Sequence, residues 1–292
     1  MQINDEILER SIASFLGFAI GDALGATTEF MTEREIKCTY GIHKKIVGGG
    51  WLHLKAGDVT DDTEMALALG DSIIENSSFS KIEAAKHFLK WMQSKPVDIG
   101  STVRRGIVHF KKNNNCEMPY SDEAAGNGAC MRNLPIILYS LKKWNVFSKY
   151  TIEQCHITHN NIHSDLITLA FGEITKILIL YKNKELAYQF SLDFIKRYPK
   201  YSFINYSGEN SGYIIDTFKI VLYYFFNCNN FYNTLISVVN KGGDSDTNAA
   251  LAGMLAGAFY GMNGLHKKWL KKLNKKVKEK IIKQTIKLLN IP

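Results

Sequence analysis

Apolar residues recur at helical spacing along almost the whole chain, and this periodicity limits the fold more than any other feature. Near the N-terminus, apolar side chains between Ile7 and Ile20 repeat every three or four residues and form one face. Strict alternation of apolar and polar residues is confined to a short stretch around 51–54. The pattern predicts an all-α fold, with similar helical faces in residues 63–75, 81–93, 131–143, 164–181, 185–197, 213–226 and 231–240.

The chain is expected to form a single domain over residues 1–292. Its apolar fraction is 46%, enough for a large core, and it holds only five prolines. No stretch rich in Pro, Ser or Gly interrupts the pattern as a linker would.

One predicted helix, residues 247–260, has unusually small side chains on nearly every face. Glycine costs roughly 1 kcal/mol relative to alanine inside a helix, yet Gly253, Gly257 and Gly261 recur at intervals of four among alanines. Such a pattern indicates very close helix packing, so we expect this helix at the centre of the fold. The residues at its start should therefore be deeply placed.

The basic charge is concentrated near the C-terminus. The chain carries a formal charge of +8, but ten lysines and one glutamate between Lys267 and Lys287 contribute +9, leaving the rest at −1. Because apolar residues recur within this segment, residues 267–289 are predicted to form one basic amphipathic helix docked by one face. Its lysines form either a solvated face or a weak docking surface for an anionic partner; a nucleic-acid partner is not expected.

Cysteines and apolar segments favour a cytosolic protein. The five cysteines are scattered, odd in number and without CxxC spacing, which is typical of reduced thiols. The N-terminal region lacks the basic and apolar segments of a signal peptide. The most apolar stretch, 213–226, is too short to span a bilayer, which takes about 20 residues, so no integral membrane segment is expected.

Two segments concentrate carboxylates and hydroxyls where helices should begin. One includes Thr60, Asp61 and Asp62, and the other includes Asp244, Asp246 and Thr247. Either segment alone is explained by helix capping, since Asp and Thr satisfy free N–H groups at helix starts. Together the two segments contain more carboxylates and hydroxyls than helix capping requires.

Buried acids beside one another are costly unless a cation neutralises them. Hard oxygen ligands favour Mg²⁺ or Mn²⁺ over zinc. Glu29, which follows the segment Gly21–Gly25, could complete the ligand set. The residues therefore predict a site for one or two divalent cations.

Three further features have both structural and functional interpretations. Asp98 precedes a predicted helix and is either an N-cap or a carboxylate facing the reacting group. His159 is either structural or catalytic. The segment Gly126–Ala129 could bring backbone amides close to a phosphate or sugar, although the signal is weak alone.

These motifs, in this order, resemble the ADP-ribosylglycohydrolase family. The matching stretches are GFAIGDALGATTEFMT (17–32), YGIHKKIVGGGW (40–51), VTDDTEMALALG (59–70), PVDIGSTVRRG (96–106), GNGACMRNLP (126–135), 158–165 and 242–261. They cover nearly the whole chain. The resemblance implies a helical fold around two Mn²⁺ or Mg²⁺ ions.

The resemblance also implies a role for individual residues. The metal ligands would be Glu29, Thr60, Asp61, Asp62, Asp244, Asp246 and Thr247. Asp98, Asp61, Glu29 and His159 would be catalytic. Substrate would be bound by Asn127, Gly128, Ser101, Thr102, His159 and Tyr213, the last contacting adenine or ribose.

The implied activity is hydrolysis of the bond between ADP-ribose and a protein arginine. Within the family, the resemblance is greatest to members acting on the ADP-ribosylated iron protein of nitrogenase, which implies that substrate, a PII signalling protein as a further partner, and a monomer. Membrane association would then be peripheral, through a partner. Two alternatives stay open: hydrolysis of serine-linked or nucleic-acid-linked ADP-ribose, and a non-catalytic ADP-ribose binder.

Overall fold

Fourteen α-helices make up most of the part of the chain that the computed structural model describes, residues 3–208 and 210–292. Extended pairing there is limited to isolated bridges, such as Gly49 with Leu54 and Gly126 with Tyr213. The predicted all-α class is confirmed. The helices are α1 (Asp5–Gly25), α2 (Glu33–Tyr40), α3 (Asp61–Asn76), α4 (Lys81–Gln93), α5 (Ser101–Asn113), α6 (Leu134–Ser140), α7 (Phe147–Cys155), α8 (Ile162–Tyr181), α9 (Lys184–Arg197), α10 (Ile214–Asn227), α11 (Phe231–Val239), α12 (Ser245–Gly264), α13 (Lys267–Lys272) and α14 (Lys275–Asn290).

The small-residue helix, α12, lies at the centre as predicted. Its residues from Ser245 to Ala258 are all buried, and it packs against α1, α8, α10 and α11. Its regular geometry ends at Gly261, whose φ of 67° lies in the left-handed region that glycine tolerates.

The most extensive helix pair joins α1 and α12 in antiparallel orientation. Glycines in α1 recur every four residues and face small residues of α12. A Cβ atom at Gly17 would overlap the carbonyl oxygen of Gly253, and one at Gly25 would overlap that of Ser245. The two backbones are therefore in direct contact. As a result, the C-terminal end of α1 and the N-terminal end of α12 meet at the same place.

The predicted C-terminal helix is broken into two. Residues 267–289 form α13 and α14 instead of one helix, with the break at Leu273 and Asn274. Asn274 donates its backbone N–H to Gly57 O at 2.9 Å and its side-chain amide to Asp58 Oδ1 at 2.9 Å, while its Oδ1 caps α14. These tertiary bonds, which helical periodicity does not reveal, compensate for the interruption.

The segment is nevertheless amphipathic and docked by one face. Trp269, Leu273, Ile281 and Leu288 are buried, whereas most of the lysines are exposed. Helices α2 and α7 were not predicted. Both are short, and α2 buries a single residue, Ile36, so it carries almost no apolar period.

The remaining helices enclose a continuous apolar core. It extends from Phe15 and Phe18 of α1 to Trp269 and Leu288 at the C-terminal end of the chain, so the termini belong to one domain. All five cysteines are free thiols. Across residues 3–208 and 210–292, no helix has the combination of length and apolar character needed to cross a bilayer.

Candidate metal centre

The two carboxylate clusters predicted from the sequence converge on one cavity of about 340 Å³. The cavity lies where α1 ends and where α3, α5 and α12 begin. All but two of the predicted site residues line it: Glu29, Asp61, Asp62, Asp98, Ser101, Thr102, Asn127, Gly128, His159, Asp244, Asp246 and Thr247. The two exceptions are Thr60 and Tyr213.

Backbone hydrogen bonds join the Glu29 segment to the start of α12. Phe30 N–H donates to Gly243 O at 2.7 Å, and Gly243 N–H donates to Met31 O at 2.8 Å. A Cβ atom at Gly242 would overlap Met31 O, so the close approach requires glycine there. This pairing places Glu29 beside Asp244 although the two residues are far apart in the sequence.

Asp22 fixes the start of α3, where the other cluster lies. Its fully buried carboxylate accepts hydrogen bonds from Thr60 N at 3.0 Å, Thr63 N at 3.1 Å and Thr63 Oγ1 at 2.5 Å. It therefore caps α3 from α1 and orients Asp61 and Asp62. This role of Asp22 was not predicted; the available signal was an acid on the buried face of α1.

A direct contact connects the two clusters. Thr247 Oγ1 donates to Asp62 Oδ2 at 3.1 Å, and Thr60 Oγ1 lies 3.3 Å from the same oxygen. Thr60 is thus hydrogen-bonded to a carboxylate of the cavity although it does not line the cavity.

Crowding and burial make these carboxylates hard to ionise. Burial, followed by the charges of neighbouring acids, raises the pKa of Asp61, Asp62 and Asp246 well above its ordinary value. Burial raises the pKa of Glu29 to about 8, even though a hydrogen bond from Trp51 opposes the rise. Such a cluster is stable in the ionised form only when positive charge balances it.

The arrangement fits a bound cation. Glu29, Asp244 and Asp246 each offer an oxygen, and these ligand atoms lie within 4.8 Å of one another. Asp62 Oδ1 is buried and has no hydrogen-bond partner among the described residues, as expected of an oxygen reserved for a ligand. Carboxylate and hydroxyl oxygens are the donors that Mg²⁺ and Mn²⁺ prefer.

Trp51 holds the Glu29 carboxylate from the outer side of the cavity. Its indole Nε1–H donates to Glu29 Oε2 at 2.6 Å. Trp51 follows Gly48, Gly49 and Gly50, all with positive φ, so a glycine loop carries the indole to the Glu29 carboxylate. The hydrogen bond itself was not predicted.

The opposite wall of the cavity is formed by Asn127, Gly128 and His159. Asn127 Nδ2 donates to Asp244 Oδ2 at 2.5 Å and to Thr217 Oγ1 at 2.9 Å, so its amide orients a candidate metal ligand. A Cβ atom at Gly128 would lie 2.8 Å from the His159 ring. Glycine therefore permits the imidazole to pack against this turn.

His159 is neutral and presents an N–H to the cavity side. Burial, followed by the charge of Arg132, lowers its pKa to about 3. Arg132 Nη2 donates to Thr158 Oγ1 at 2.8 Å, and Thr158 Oγ1 lies 2.7 Å from His159 Nδ1. The Thr158 hydroxyl accepts from Arg132 and keeps its own hydrogen to donate. We assign that hydrogen to Nδ1, which leaves the imidazole proton on Nε2.

Asp98 is half-buried and lines the same cavity as the candidate ligands. It does not cap α5, because the N-cap residue of that helix is Gly100. Burial raises the pKa of Asp98, while hydrogen bonds with Ile99 N–H and with Asp61 oppose the rise. Gly100 N–H donates to Asp61 Oδ2 at 3.4 Å, so the loop that carries Asp98 also contacts the carboxylate cluster.

Tyr213 stands apart from the cavity lining. It is the N-cap residue of α10, and its side chain is 41% exposed. Its neighbour Gly212 lines the cavity and accepts a hydrogen bond from Asn127 N at 3.0 Å. The backbone beside Tyr213 thus shapes the cavity, whereas the Tyr213 ring lies outside the cavity lining.

The raised pKa values predict how the stability of the EDTA-treated protein depends on pH. The pKa of Asp22 is raised to about 6 and that of Glu29 to about 8. In the unfolded chain these carboxyl groups have a pKa of about 4. Their contribution to stability is fully present below that pH, and it is lost as the pH rises through the pKa that each group has in the folded protein. We expect the Tm of the EDTA-treated protein to fall between pH 5 and pH 8.

Thermal unfolding with EDTA and with Mn²⁺ across that range measures the effect. The free energy of unfolding with Mn²⁺ should exceed that with EDTA by an amount that grows with pH. This difference should reach about a few kcal/mol, since one pKa unit corresponds to ~1.4 kcal/mol. A Tm with EDTA that stays level or rises between pH 5 and pH 8 would contradict the expectation.

Comparison with known proteins identifies the family of this chain. A sequence model of the ADP-ribosylglycohydrolase family matches residues 3–290. The chain is 43% identical to the ADP-ribosyl-[dinitrogen reductase] glycohydrolase of Rhodospirillum rubrum, over 96% of each chain. It is 28% identical to an ADP-ribosylarginine hydrolase of Pseudomonas putida, over 92% of this chain and 75% of the relative.

The fold matches a solved structure equally well. An ADP-ribosylglycohydrolase-related protein complex contains a chain that superposes with a TM-score of 0.87 at 26% identity, covering 99% of both chains. The family match spans nearly the whole sequence, and the helical fold and the acidic cavity accord with it. The chain belongs to the ADP-ribosylglycohydrolase family.

Proposed function

We propose that the protein hydrolyses the N-glycosidic bond between ADP-ribose and a protein arginine, with ADP-ribosylated dinitrogen reductase as its substrate. The observation that carries the proposal is the convergence of Glu29, Asp61, Asp62, Asp244 and Asp246 on one cavity that also holds Asp98. Two relatives whose names specify ADP-ribosylarginine or dinitrogen reductase as the target support the acceptor.

Two divalent cations, Mn²⁺ or Mg²⁺, are proposed as cofactors. The ligands would be the carboxylates of Glu29, Asp61, Asp62, Asp244 and Asp246, with the hydroxyls of Thr60 and Thr247. Bound there, such ions supply an activated water and a positive charge toward the ribose hydroxyls. The large number of buried acids in one place supports more than one ion.

Asp98 is proposed to contact the acceptor guanidinium and to carry a proton. The net reaction adds the hydroxyl of water to the ribose carbon and a proton to the departing guanidine nitrogen. Because burial raises the pKa of Asp98, this carboxyl group holds a proton more readily than an exposed aspartate does, so it can both accept and return that proton. Its charge-assisted hydrogen bond would also orient the planar guanidinium.

The opposite wall is proposed to bind the ADP-ribose. Gly128 gives backbone access, and His159 acts as a neutral donor to a ribose or phosphate oxygen through Nε2. Ser101 and Thr102, in the first turn of α5, offer hydroxyls at the same cavity. Tyr213 would contact the adenosine only where it extends beyond the cavity. A cytosolic location, suggested by the scattered free thiols, is part of the proposal.

The test uses arginine-linked and serine-linked ADP-ribosylated proteins as parallel substrates. We expect release of free ADP-ribose from the arginine-linked protein in Mn²⁺, no release with EDTA, and at least about tenfold slower release from the serine-linked protein. Faster release from serine would favour an O-glycosidic hydrolase. Binding of ADP-ribose without release from either substrate would favour a non-catalytic binder.

A further inference from the structure

Two exposed aromatic side chains stand at the rim of the catalytic cavity. Phe30 lines the cavity and is 67% exposed, and Trp51 is 49% exposed. Their ring centroids lie 5.3 Å apart, with the ring planes tilted by 52°. The two rings thus form a small contiguous aromatic surface beside a polar cavity.

The backbone holds Phe30 in an unfavourable conformation. Its φ is 61°, in the left-handed region that a bulky residue seldom adopts. The hydrogen bond from Phe30 N–H to Gly243 O at 2.7 Å maintains it. Strain of this kind persists where the surrounding structure enforces it and is concentrated at functional sites. Here it keeps the ring out of the core and against the cavity.

The aromatic pair is bordered by acids. Glu29 adjoins Phe30 in the chain and accepts the Trp51 indole N–H at 2.6 Å. Asp98 lies on the same cavity. Aromatic faces beside a carboxylate form a setting for a planar cation, because the ring quadrupole attracts the cation and a carboxylate outside the proposed ligand set, here Asp98, can bind its N–H groups. An uncharged acceptor would gain neither contribution.

We propose that Phe30 and Trp51 form the acceptor subsite, where their rings contact the guanidinium of the ADP-ribosylated arginine and select it over uncharged acceptors. The inference rests on the proposed function and deepens it by naming residues that set acceptor specificity. It leaves recognition of ADP-ribose to the opposite wall, formed by Asn127, Gly128 and His159.

The first experiment measures hydrolysis of arginine-linked ADP-ribosylated protein by Phe30→Leu, Phe30→Tyr and the unchanged protein. Leucine removes the aromatic face and tyrosine retains it. We expect kcat/KM to fall about 5- to 30-fold in Phe30→Leu, mainly through KM, and to change less than about twofold in Phe30→Tyr. Tyr181→Leu, which removes a side chain 62% exposed at the end of α8, is the matched control and should have no effect.

The second experiment measures binding without turnover. Agmatine, which carries the guanidinium of arginine, is titrated calorimetrically into protein saturated with Mn²⁺ and ADP-ribose. We expect Phe30→Leu to weaken agmatine binding by a similar factor and to leave the Kd for ADP-ribose within about twofold. Unchanged agmatine binding, or an equal loss of affinity for ADP-ribose, would overturn the subsite.

The two proposals fail in different ways. If the unchanged protein does not release ADP-ribose from arginine, the proposed function fails, and the agmatine titration still decides whether the rings bind a guanidinium. If release occurs but Phe30→Leu matches the unchanged protein, the proposed function stands and the acceptor subsite is wrong.

Discussion

Replacing Asp246 with asparagine is expected to lower the rate of ADP-ribose release from an arginine-linked protein by about 10²- to 10⁴-fold. Asp246 is only 2% exposed and lies among Glu29, Asp62 and Asp244. Asparagine keeps the size of the side chain but offers a neutral amide where a charged oxygen ligand is proposed. The substitution should therefore remove catalysis by weakening cation binding.

The same substitution should not destabilise the EDTA-treated protein. The substitution removes a buried carboxyl group whose own pKa is raised well above its ordinary value by burial and by the charges of Glu29, Asp62 and Asp244. The Tm with EDTA should therefore stay level or rise, while the Tm increase caused by Mn²⁺ shrinks. Asp193→Asn, at an exposed acid of α9, is the control. Full turnover by Asp246→Asn, or an equal fall in Tm with and without Mn²⁺, would refute the ligand assignment.

Replacing Gly253 with alanine is expected to destabilise the fold by at least about 2 kcal/mol, and folded protein should be hard to recover. A Cβ atom there would overlap the carbonyl oxygen of Gly17, and no side-chain rotation relieves a clash with backbone. Overpacking typically costs about 1–3 kcal/mol, occasionally more, and a clash with backbone belongs at or above the upper end of that range. At least about 2 kcal/mol then remains after the roughly 1 kcal/mol that alanine gains over glycine in a helix.

Urea unfolding followed by circular dichroism measures the change. The matched control is Gly208→Ala, because a Cβ atom at Gly208 meets only Tyr206 Cε2 at 3.6 Å, an ordinary contact. We expect less than about 0.5 kcal/mol there. A Gly253→Ala protein as stable as the control would show that α1 and α12 separate readily.

Much of the fold was predictable because helical period and residue size act locally. The small residues of 247–260 indicated a central helix, and α12 is that helix. Its partner was not identified. The glycines of α1 are interspersed with Phe15, Phe18 and Ile20, so the apolar period of that helix conceals the narrow strip that contacts α12.

The parts of the candidate site in which several acids occur together were predictable from the sequence. The parts in which one tertiary contact positions a side chain were not. Crowding of Asp61 and Asp62 in one segment, and of Asp244 and Asp246 in another, indicated a shared cation. The capping of α3 by Asp22 and the hydrogen bond from Trp51 to Glu29 depend on tertiary proximity. No spacing in the sequence encodes either contact, and the same is true of the tertiary bonds at Asn274 that interrupt the C-terminal helix.

The antiparallel contact between α1 and α12 also has a consequence for biosynthesis. Glu29 leaves the ribosome more than two hundred residues before Asp246, and Gly17 faces Gly253 over a similar separation. Contacts this distant in the chain form late and slowly. A growing polypeptide thus lacks the main packing partner of α1 until α12 emerges, so we expect the nascent chain to gain cation affinity only after residues 245–264 have left the ribosome.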